Sequence, residues 1–225
     1  MPNQNKPSQQ RLPLKQVAYE YIKNRILSCE YEPGTFLNEQ QICDVTGLSR
    51  TPVRDALGRL EQEGLVNILP KKGVLVSPLK LSDINRLYEV RLLLEPYAIQ
   101  RYGHLLDQEK LKEFAALQNE AQRAEQDAGF FYELDDQLHD FFISAMNNRY
   151  LQDTYENTKN LNRRLRVLSG DKVENRVADT FREHGIIIDA CLRSDWEAAA
   201  KAMVAHLEAS RVSAFQLMID NADNT

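Results

Sequence analysis

Proline and glycine divide this chain into two parts with different architectures. Seven of the eight prolines and five of the nine glycines lie before residue 81. Such a density of turn-forming residues favours short elements joined by tight turns, whereas the later part favours long helices. We therefore predict a mainly α protein with a disordered arm at 1–12, a turn-rich domain at 13–78 and an all-helical domain of six or seven helices at 79–225.

Charge follows the same division. Residues 1–80 contain 11 Lys and Arg against 8 Asp and Glu, whereas residues 81–225 contain 17 against 25. The basic excess suits contact between the first domain and a polyanion. No stretch approaches the ~18 apolar residues of a membrane span, and residues 1–11 lack the apolar core of a secretory signal. We expect a cytoplasmic protein with no membrane partner.

The first domain has the pattern of a winged helix-turn-helix, with three helices followed by a β-hairpin. Apolar residues recur with helical spacing over residues 14–29. Asn38 is placed to cap a second, short helix that ends at Gly47, and Ser49 is placed to cap a third. Alternating apolar residues within 66–76 predict two strands joined by a basic turn. This order of elements lays one helix in the major groove of DNA.

The exposed side of the third helix carries the candidate DNA contacts. We predict that Arg50 and Arg54 read bases, because a guanidinium can donate two hydrogen bonds to guanine, worth roughly 1–3 kcal/mol of discrimination. Ser49 and Thr51, at the start of the helix, suit phosphate oxygens.

The tip of the hairpin supplies a second set of candidate contacts, Lys71, Lys72 and Gly73. The two lysines are expected to add affinity for the phosphate backbone with little sequence information. For isolated Lys and Arg residues, the alternative is an ordinary solvated surface, so the surrounding motif has to decide.

Three sequence pieces in residues 31–76 carry a family resemblance: PG-x-x-LNE, G-L-S-R-T-P-V-R-D-A-L and L-x-x-EGLV. They closely resemble the N-terminal domain of GntR-family bacterial transcription regulators, which implies binding to double-stranded operator DNA. Gln40 stands where the family commonly has an arginine that contacts DNA, so this contact and the operator sequence are expected to differ. A homodimer on two-fold half-sites is expected, because one short helix reads only a few base pairs.

Apolar spacing near 3.6 predicts six helices in the second domain. Ser194 and Glu197 match an S-x-x-E capping box, which places the start of the last helix. The predicted helices cover residues 82–102, 107–126, 130–147, 149–169, 172–193 and 195–219.

Three histidines and an aspartate lie on inward helical faces of this domain. Asp135 and His139 are four residues apart and share an apolar face. His184 and His206 lie on the apolar stripes of the last two helices, ten residues before and twelve residues after Ser194. In an antiparallel hairpin they stand ~15 and ~18 Å from the turn and should face each other.

Together these four residues predict a site for a divalent cation. A single inward histidine is more often a hydrogen-bonded core residue, and this alternative remains for each of them alone. Three neutral imidazoles and a carboxylate on three helices are better explained as ligands of zinc, or of nickel or manganese. Such a centre could also belong to a metal-dependent hydrolase, or could be purely structural. His104, in a predicted loop, is expected to be exposed.

The second domain also carries a family pattern. The segments D-x-x-x-H, NNRYL, E-H and H-L occur in this order at 135–139, 147–151, 183–184 and 206–207. Residues 82–217 resemble the FCD effector domain of the FadR-like branch of the GntR family, including its metal-binding subgroup. This resemblance implies that the metal helps to bind a small carboxylic acid effector.

Arg91 is the predicted partner of that acid. It shares the inward stripe of the first helix with Glu95, and a buried guanidinium needs an anion. The alternative is an internal ion pair between Arg91 and Glu95. Of the arginines at 163, 164 and 166, most are expected at the surface and one in the pocket. The sequence as a whole predicts a ligand-responsive, DNA-binding transcription repressor and not an enzyme.

Overall fold

A computed structural model describes residues 12–123, 128–169 and 174–222 of this 225-residue chain. The chain divides into two compact units, Met1–Pro78 and Leu79–Thr225. The predicted disordered arm lies outside the described residues except for Leu12, as do parts of the predicted helices at 107–126 and 172–193. Among the described residues, no helix has both the length and the apolar composition needed to cross a bilayer.

The first unit combines three helices with a three-stranded antiparallel sheet. Strand β3 lies in the centre and pairs with both β1 and β2. The sequence predicted the β2–β3 hairpin but not β1, which is only two residues long and pairs with a strand far along the chain. The elements are α1 (Leu14–Leu27), β1 (Phe36–Leu37), α2 (Glu39–Thr46), α3 (Arg50–Gln62), β2 (Val66–Leu69) and β3 (Gly73–Val76).

Local capping shapes the turn between α2 and α3. The side chain of Asn38 accepts hydrogen bonds from the backbone amides of Gln40 and Gln41 at 3.0 and 3.2 Å, which opens α2 as predicted. Gly47 ends α2 with a left-handed φ of 68°, a conformation that glycine adopts without strain. Ser49 occupies the N-cap position of α3 without a side-chain capping bond. The core beneath these helices includes Ala18, Ile22, Ile26, Val53, Leu57, Leu60, Val74 and Val76.

The second unit is an all-helical bundle in which α9 packs against α4 and α8. Its apolar faces share one large buried cluster. The predicted fold class, a winged helix-turn-helix followed by an all-α bundle, is confirmed. The helices are α4 (Leu81–Tyr102), α5 (Gln108–Arg123), α6 (Ala128–Ser144), α7 (Arg149–Ser169), α8 (Glu174–Leu192) and α9 (Trp196–Ala222).

The start of α9 differs from the predicted capping box. Ser194 has a φ of 58° and belongs to the tight turn after α8. Asp195 takes the capping position instead, because its Oδ1 accepts from the amide of Ala198 at 3.0 Å. The prediction that Ser194 caps the helix was therefore wrong by one residue.

Gly103, at the end of α4, packs directly against Trp196. A Cβ at this position would lie 2.8 Å from Cδ2 and 2.9 Å from Cζ3 of the indole. We expect Gly103→Ala to lower the free energy of unfolding by about 1–3 kcal/mol through overpacking, measured by urea denaturation. Gly185→Ala is the control, since no atom lies within 4 Å of its added Cβ. Equal stability of the two variants would contradict the expectation.

Candidate metal centre and nucleic-acid interface

Four buried side chains of the second unit converge on one point. Asp135, His139, His184 and His206 each offer a donor atom, and these atoms all lie within 4.8 Å of one another. The Nε2 atoms of His184 and His206 are 3.4 Å apart. Oδ1 of Asp135 lies 3.5 Å from Nε2 of His184 and 3.7 Å from Nε2 of His139.

Helix geometry explains this convergence. Asp135 and His139 are one turn apart on α6, so both point to the same side of that helix. His184 on α8 and His206 on α9 stand beside each other because the two helices form a hairpin, and their ring centroids are 4.6 Å apart. The facing arrangement predicted from their distances to the turn is thus observed.

The Nδ1 atom of each imidazole contacts a second side chain. Nδ1 of His139 lies 2.5 Å from Oε2 of Glu95, and Nδ1 of His206 lies 2.7 Å from Oε2 of Glu183. Nδ1 of His184 lies 3.3 Å from Nε2 of Gln118. These contacts orient the Nε2 atoms towards the common point.

The electrostatic environment keeps side chains of this cluster in the protonation states that bind a cation. Burial lowers the pKa of His184 well below its usual value. It also lowers the pKa of His206 to about 4, although the hydrogen bond that His206 donates to Glu183 acts in the opposite direction. Both rings are therefore neutral at pH 7. Burial alone would raise the pKa of Asp135, but Arg166 and then the imidazoles outweigh it and hold that pKa far below its usual range.

The residues fit a bound metal ion. Nε2 of His139 is fully buried and has no hydrogen-bond partner within the part of the chain that the structure describes. An unpaired buried nitrogen costs free energy, and a cation at the common point would remove that cost. Three imidazole nitrogens and a carboxylate oxygen are also donors that zinc prefers.

A cavity of about 70 Å³ adjoins Asp135. Arg91, Arg166 and Arg176 all line it, and each guanidinium pairs with a carboxylate. Nε of Arg91 lies 2.6 Å from Oε1 of Glu95. Arg166 binds Asp135 and lies 2.8 Å from Asp136, while Arg176 binds Glu183 through two contacts of 2.7 Å.

Arg91 forms the internal ion pair with Glu95 that was the alternative to effector binding. It also lines the cavity. Of the α7 arginines at 163, 164 and 166, Arg166 reaches the cavity and Arg163 is exposed. Arg164 is buried, so the expectation that most of these three arginines lie at the surface was wrong. His104 is exposed, as predicted.

In the first unit, all of the predicted DNA contacts are exposed. Both arginines among them contact side chains of the preceding helix, α2. Nη2 of Arg50 donates to Oε1 of Gln40 at 2.8 Å, and Nε of Arg54 lies 2.9 Å from Oε2 of Glu39. The exposed residues are Gln40, Ser49, Arg50, Thr51, Arg54, Lys71, Lys72 and Gly73.

Two family comparisons agree with this arrangement. The family described as "Bacterial regulatory proteins, gntR family" matches residues 14–76, and the FCD domain family matches residues 86–209, more than half of the chain. The chain belongs to the GntR family. It falls in the FadR-like branch, whose members join a winged helix-turn-helix to an FCD domain.

Relatives of this GntR-family protein are transcription regulators. The transcriptional repressor RspR of Escherichia coli is 27% identical over 213 residues, covering 94% of this chain and 93% of that protein. The gluconate operon transcriptional repressor of Bacillus subtilis is 30% identical over 175 residues, covering 77% of this chain and 70% of that protein. A GntR regulator from Rhodococcus shares the fold, with a TM-score of 0.76 at 21% identity over 90% of this chain and 97% of that chain.

These comparisons settle the class of protein. The chain is a GntR-family transcription regulator and not an enzyme, which removes the alternative of a metal-dependent hydrolase. Its winged helix-turn-helix domain binds double-stranded DNA.

Sequence reasoning missed two residues of the site. Gln118 is a buried polar side chain on the apolar stripe of α5, between Phe114 and Ala121, and this placement was the available signal. Arg176 lies seven residues before Glu183, hence on the same face of α8.

Proposed function

We propose that this GntR-family protein is a ligand-responsive repressor whose FCD domain holds a divalent cation and a small carboxylic acid. The observation that carries the proposal is the convergence of four buried donor atoms beside a cavity lined by three arginines. The acid controls transcription if its affinity differs between the conformation that binds DNA and the conformation that does not. A coupling of about 1–3 kcal/mol suffices for this.

Zinc is the cation that we propose, since nickel and manganese accept the same donors but imidazole-rich sites are common zinc sites. Asp135, His139, His184 and His206 would hold it. When bound, it would supply positive charge and an open position for a carboxylate oxygen. Metal analysis of protein purified without chelator or added salts is expected to find about one zinc ion per chain. Failure to bind zinc, nickel or manganese even after their addition would refute this part.

The cavity supports a small, hydroxylated carboxylic acid as the effector. Each of its three guanidiniums is paired with a carboxylate, so a bound divalent cation would supply the excess positive charge that attracts an anion. Bidentate binding of a carboxylate is a common use of arginine. Thr180, Ser210 and Ser213 add hydroxyl groups to the lining. The B. subtilis relative is named for the gluconate operon, and gluconate is itself a hydroxylated acid.

A thermal-shift screen of zinc-loaded protein tests the effector. Two- to six-carbon carboxylic acids, including gluconate, are compared with their amides. An acid that binds is expected to lose roughly tenfold in affinity in Arg91→Lys, because a charged hydrogen bond contributes ~1.5–3 kcal/mol. Arg86→Lys, on the exposed side of α4, is the matched control. If no acid shifts the midpoint while zinc does, the metal is structural.

For the DNA-binding unit, we propose that a homodimer reads a two-fold operator through Arg50 and Arg54. Ser49, Thr51 and the wing tip would contact phosphates, and Gln40 would act beside Arg50. Two half-sites at a fixed spacing raise specificity above that of one short helix. The exposure of all these side chains supports the assignment.

Arg54→Ala is expected to weaken specific operator binding by more than about tenfold, because one bidentate base contact is lost. Binding to unrelated DNA should change little. Lys71→Ala provides the contrast, since a phosphate contact affects both kinds of DNA alike. Mobility shifts on the upstream intergenic region and on scrambled DNA measure the effects. Unchanged operator affinity in Arg54→Ala would remove this residue from the base-reading set.

A further inference from the structure

The three imidazoles of the cluster have chemically different partners on their Nδ1 atoms. His139 and His206 face the carboxylates of Glu95 and Glu183, which only accept hydrogen bonds. Nη2 of Arg91 also lies 3.3 Å from Nδ1 of His139, but the Glu95 oxygen at 2.5 Å is the nearer partner. Both rings therefore carry their proton on Nδ1 and leave Nε2 with a lone pair. The third ring, His184, faces the amide of Gln118, which is buried and can either donate or accept.

Without a cation, the contacts of His184 require the opposite tautomer. Nε2 of His206 carries a lone pair and can only accept, so Nε2 of His184 has to donate to it, and Nδ1 of His184 is left with the lone pair that accepts from the Gln118 amide nitrogen 3.3 Å away. The ring proton is then on Nε2, where it can be donated to Nε2 of His206 at 3.4 Å. The chain from Gln118 through His184 and His206 to Glu183 is satisfied at every step by this placement of protons.

A cation at the common point reverses the demand on His184. A metal is bound by a lone pair on Nε2, so the ring proton has to be on Nδ1. Gln118 can meet this demand by turning its terminal amide, which exchanges the nitrogen for the oxygen at nearly the same place. A carboxylate at this position would not suit the first tautomer, and an apolar side chain would suit neither.

We propose that Gln118 is a positioning residue that supports both tautomers of His184 and so lets the metal centre fill and empty reversibly. On filling, the ring gives its Nε2 proton to solvent water and takes one on Nδ1 from solvent, so its net charge is unchanged. This inference rests on the proposed cation site and concerns how that site is regulated. His139 and His206 are fixed in the metal-ready form, whereas His184 is adjustable.

Gln118→Glu is the informative substitution. A carboxylate of the same shape would fix the proton of His184 on Nδ1, as Glu95 does for His139. We expect Gln118→Glu to bind Zn²⁺ about tenfold more tightly than the natural protein, and Gln118→Leu to bind it about tenfold more weakly, in the range typical of residues that support metal ligands. Asn119→Asp, which adds the same charge on the exposed side of α5, is the matched control and should bind Zn²⁺ unchanged.

The test combines zinc affinity with the tautomer itself. Affinities come from competition with a chromophoric chelator at pH 7.5, and tautomers come from long-range ¹H–¹⁵N spectra of the histidine rings in the full chain. In the natural protein, His184 should carry its proton on Nε2 without zinc and on Nδ1 with zinc. In Gln118→Glu it should carry the proton on Nδ1 in both states.

The wild-type spectra alone can overturn the inference, so it does not depend on a variant that folds. A metal-free His184 that already carries its proton on Nδ1 would refute it. So would zinc affinities of the two Gln118 variants within twofold of each other. Absence of zinc binding by the natural protein would refute the proposed cation site itself, which separates the two failures.

Discussion

Replacing His184 by alanine is expected to lower zinc affinity by at least about a hundredfold and to abolish most of the thermal stabilisation that zinc provides. One of four donors is lost, and the binding free energy of such a centre, ~10–16 kcal/mol for structural zinc, is shared among its ligands. Because zinc binds the folded chain preferentially, weaker binding also means a smaller rise in the midpoint of unfolding.

The chain supplies its own control for this experiment. His104 is the one remaining histidine and is exposed. His104→Ala should therefore keep zinc content and midpoint unchanged. Atomic emission of purified protein and thermal unfolding with and without a chelator measure both quantities. Full zinc occupancy in His184→Ala would exclude this residue as a ligand.

Replacing Glu95 by alanine is expected to destabilise the metal-free protein by about 3–5 kcal/mol. Arg91 is only 3% exposed and Glu95 is fully buried, so the substitution leaves a guanidinium without its anion. His139 and Tyr155 lose their acceptor at the same time. Urea unfolding in the presence of a chelator measures the effect without a contribution from bound metal.

A double-mutant cycle measures the interaction free energy between Arg91 and Glu95. Arg91→Met removes the charge, so adding it to Glu95→Ala should recover a large part of the lost stability. The expectation would be contradicted if Glu95→Ala alone cost less than about 1 kcal/mol.

The stabilising effect of Glu95 should also depend on pH. Burial would raise the pKa of Glu95, but Arg91 and His139 hold it well below the usual range. The contribution is therefore present above the unfolded-state pKa of about 4.3 and declines as the pH falls below it. The stability difference between the natural protein and Glu95→Gln should shrink in the same direction.

Periodicity and capping predicted most of the fold. Helical spacing identified the helices of both units, and Asn38 and Gly47 marked α2 because their preferences are local. Strand β1 was missed because two residues carry no readable alternation and its stability comes from pairing with β3. Asp195 was missed as a cap because Ser194 matches the same motif, and only the left-handed turn selects between them.

The candidate site was predictable where spacing along a helix fixes position. The four-residue separation of Asp135 and His139 is sufficient to bring these two side chains together, and the nearly equal distances of His184 and His206 from their turn do the same for that pair. The meeting of the two pairs depends on how α6 packs against α8 and α9. The partners of the rings were not predictable in this way. Glu95, Gln118 and Glu183 come from α4, α5 and α8, and contact between helices depends on how the bundle is assembled.

The contacts that hold Arg50 and Arg54 have an evolutionary consequence. Both guanidiniums are oriented by α2 through Gln40 and Glu39. Under the base-reading role proposed for these arginines, a change on α2 would alter base preference while α3 stays intact. After gene duplication, two copies of such a regulator could separate their target promoters through one codon at position 40. Mutational divergence among paralogues should then concentrate on this supporting helix as well as on α3.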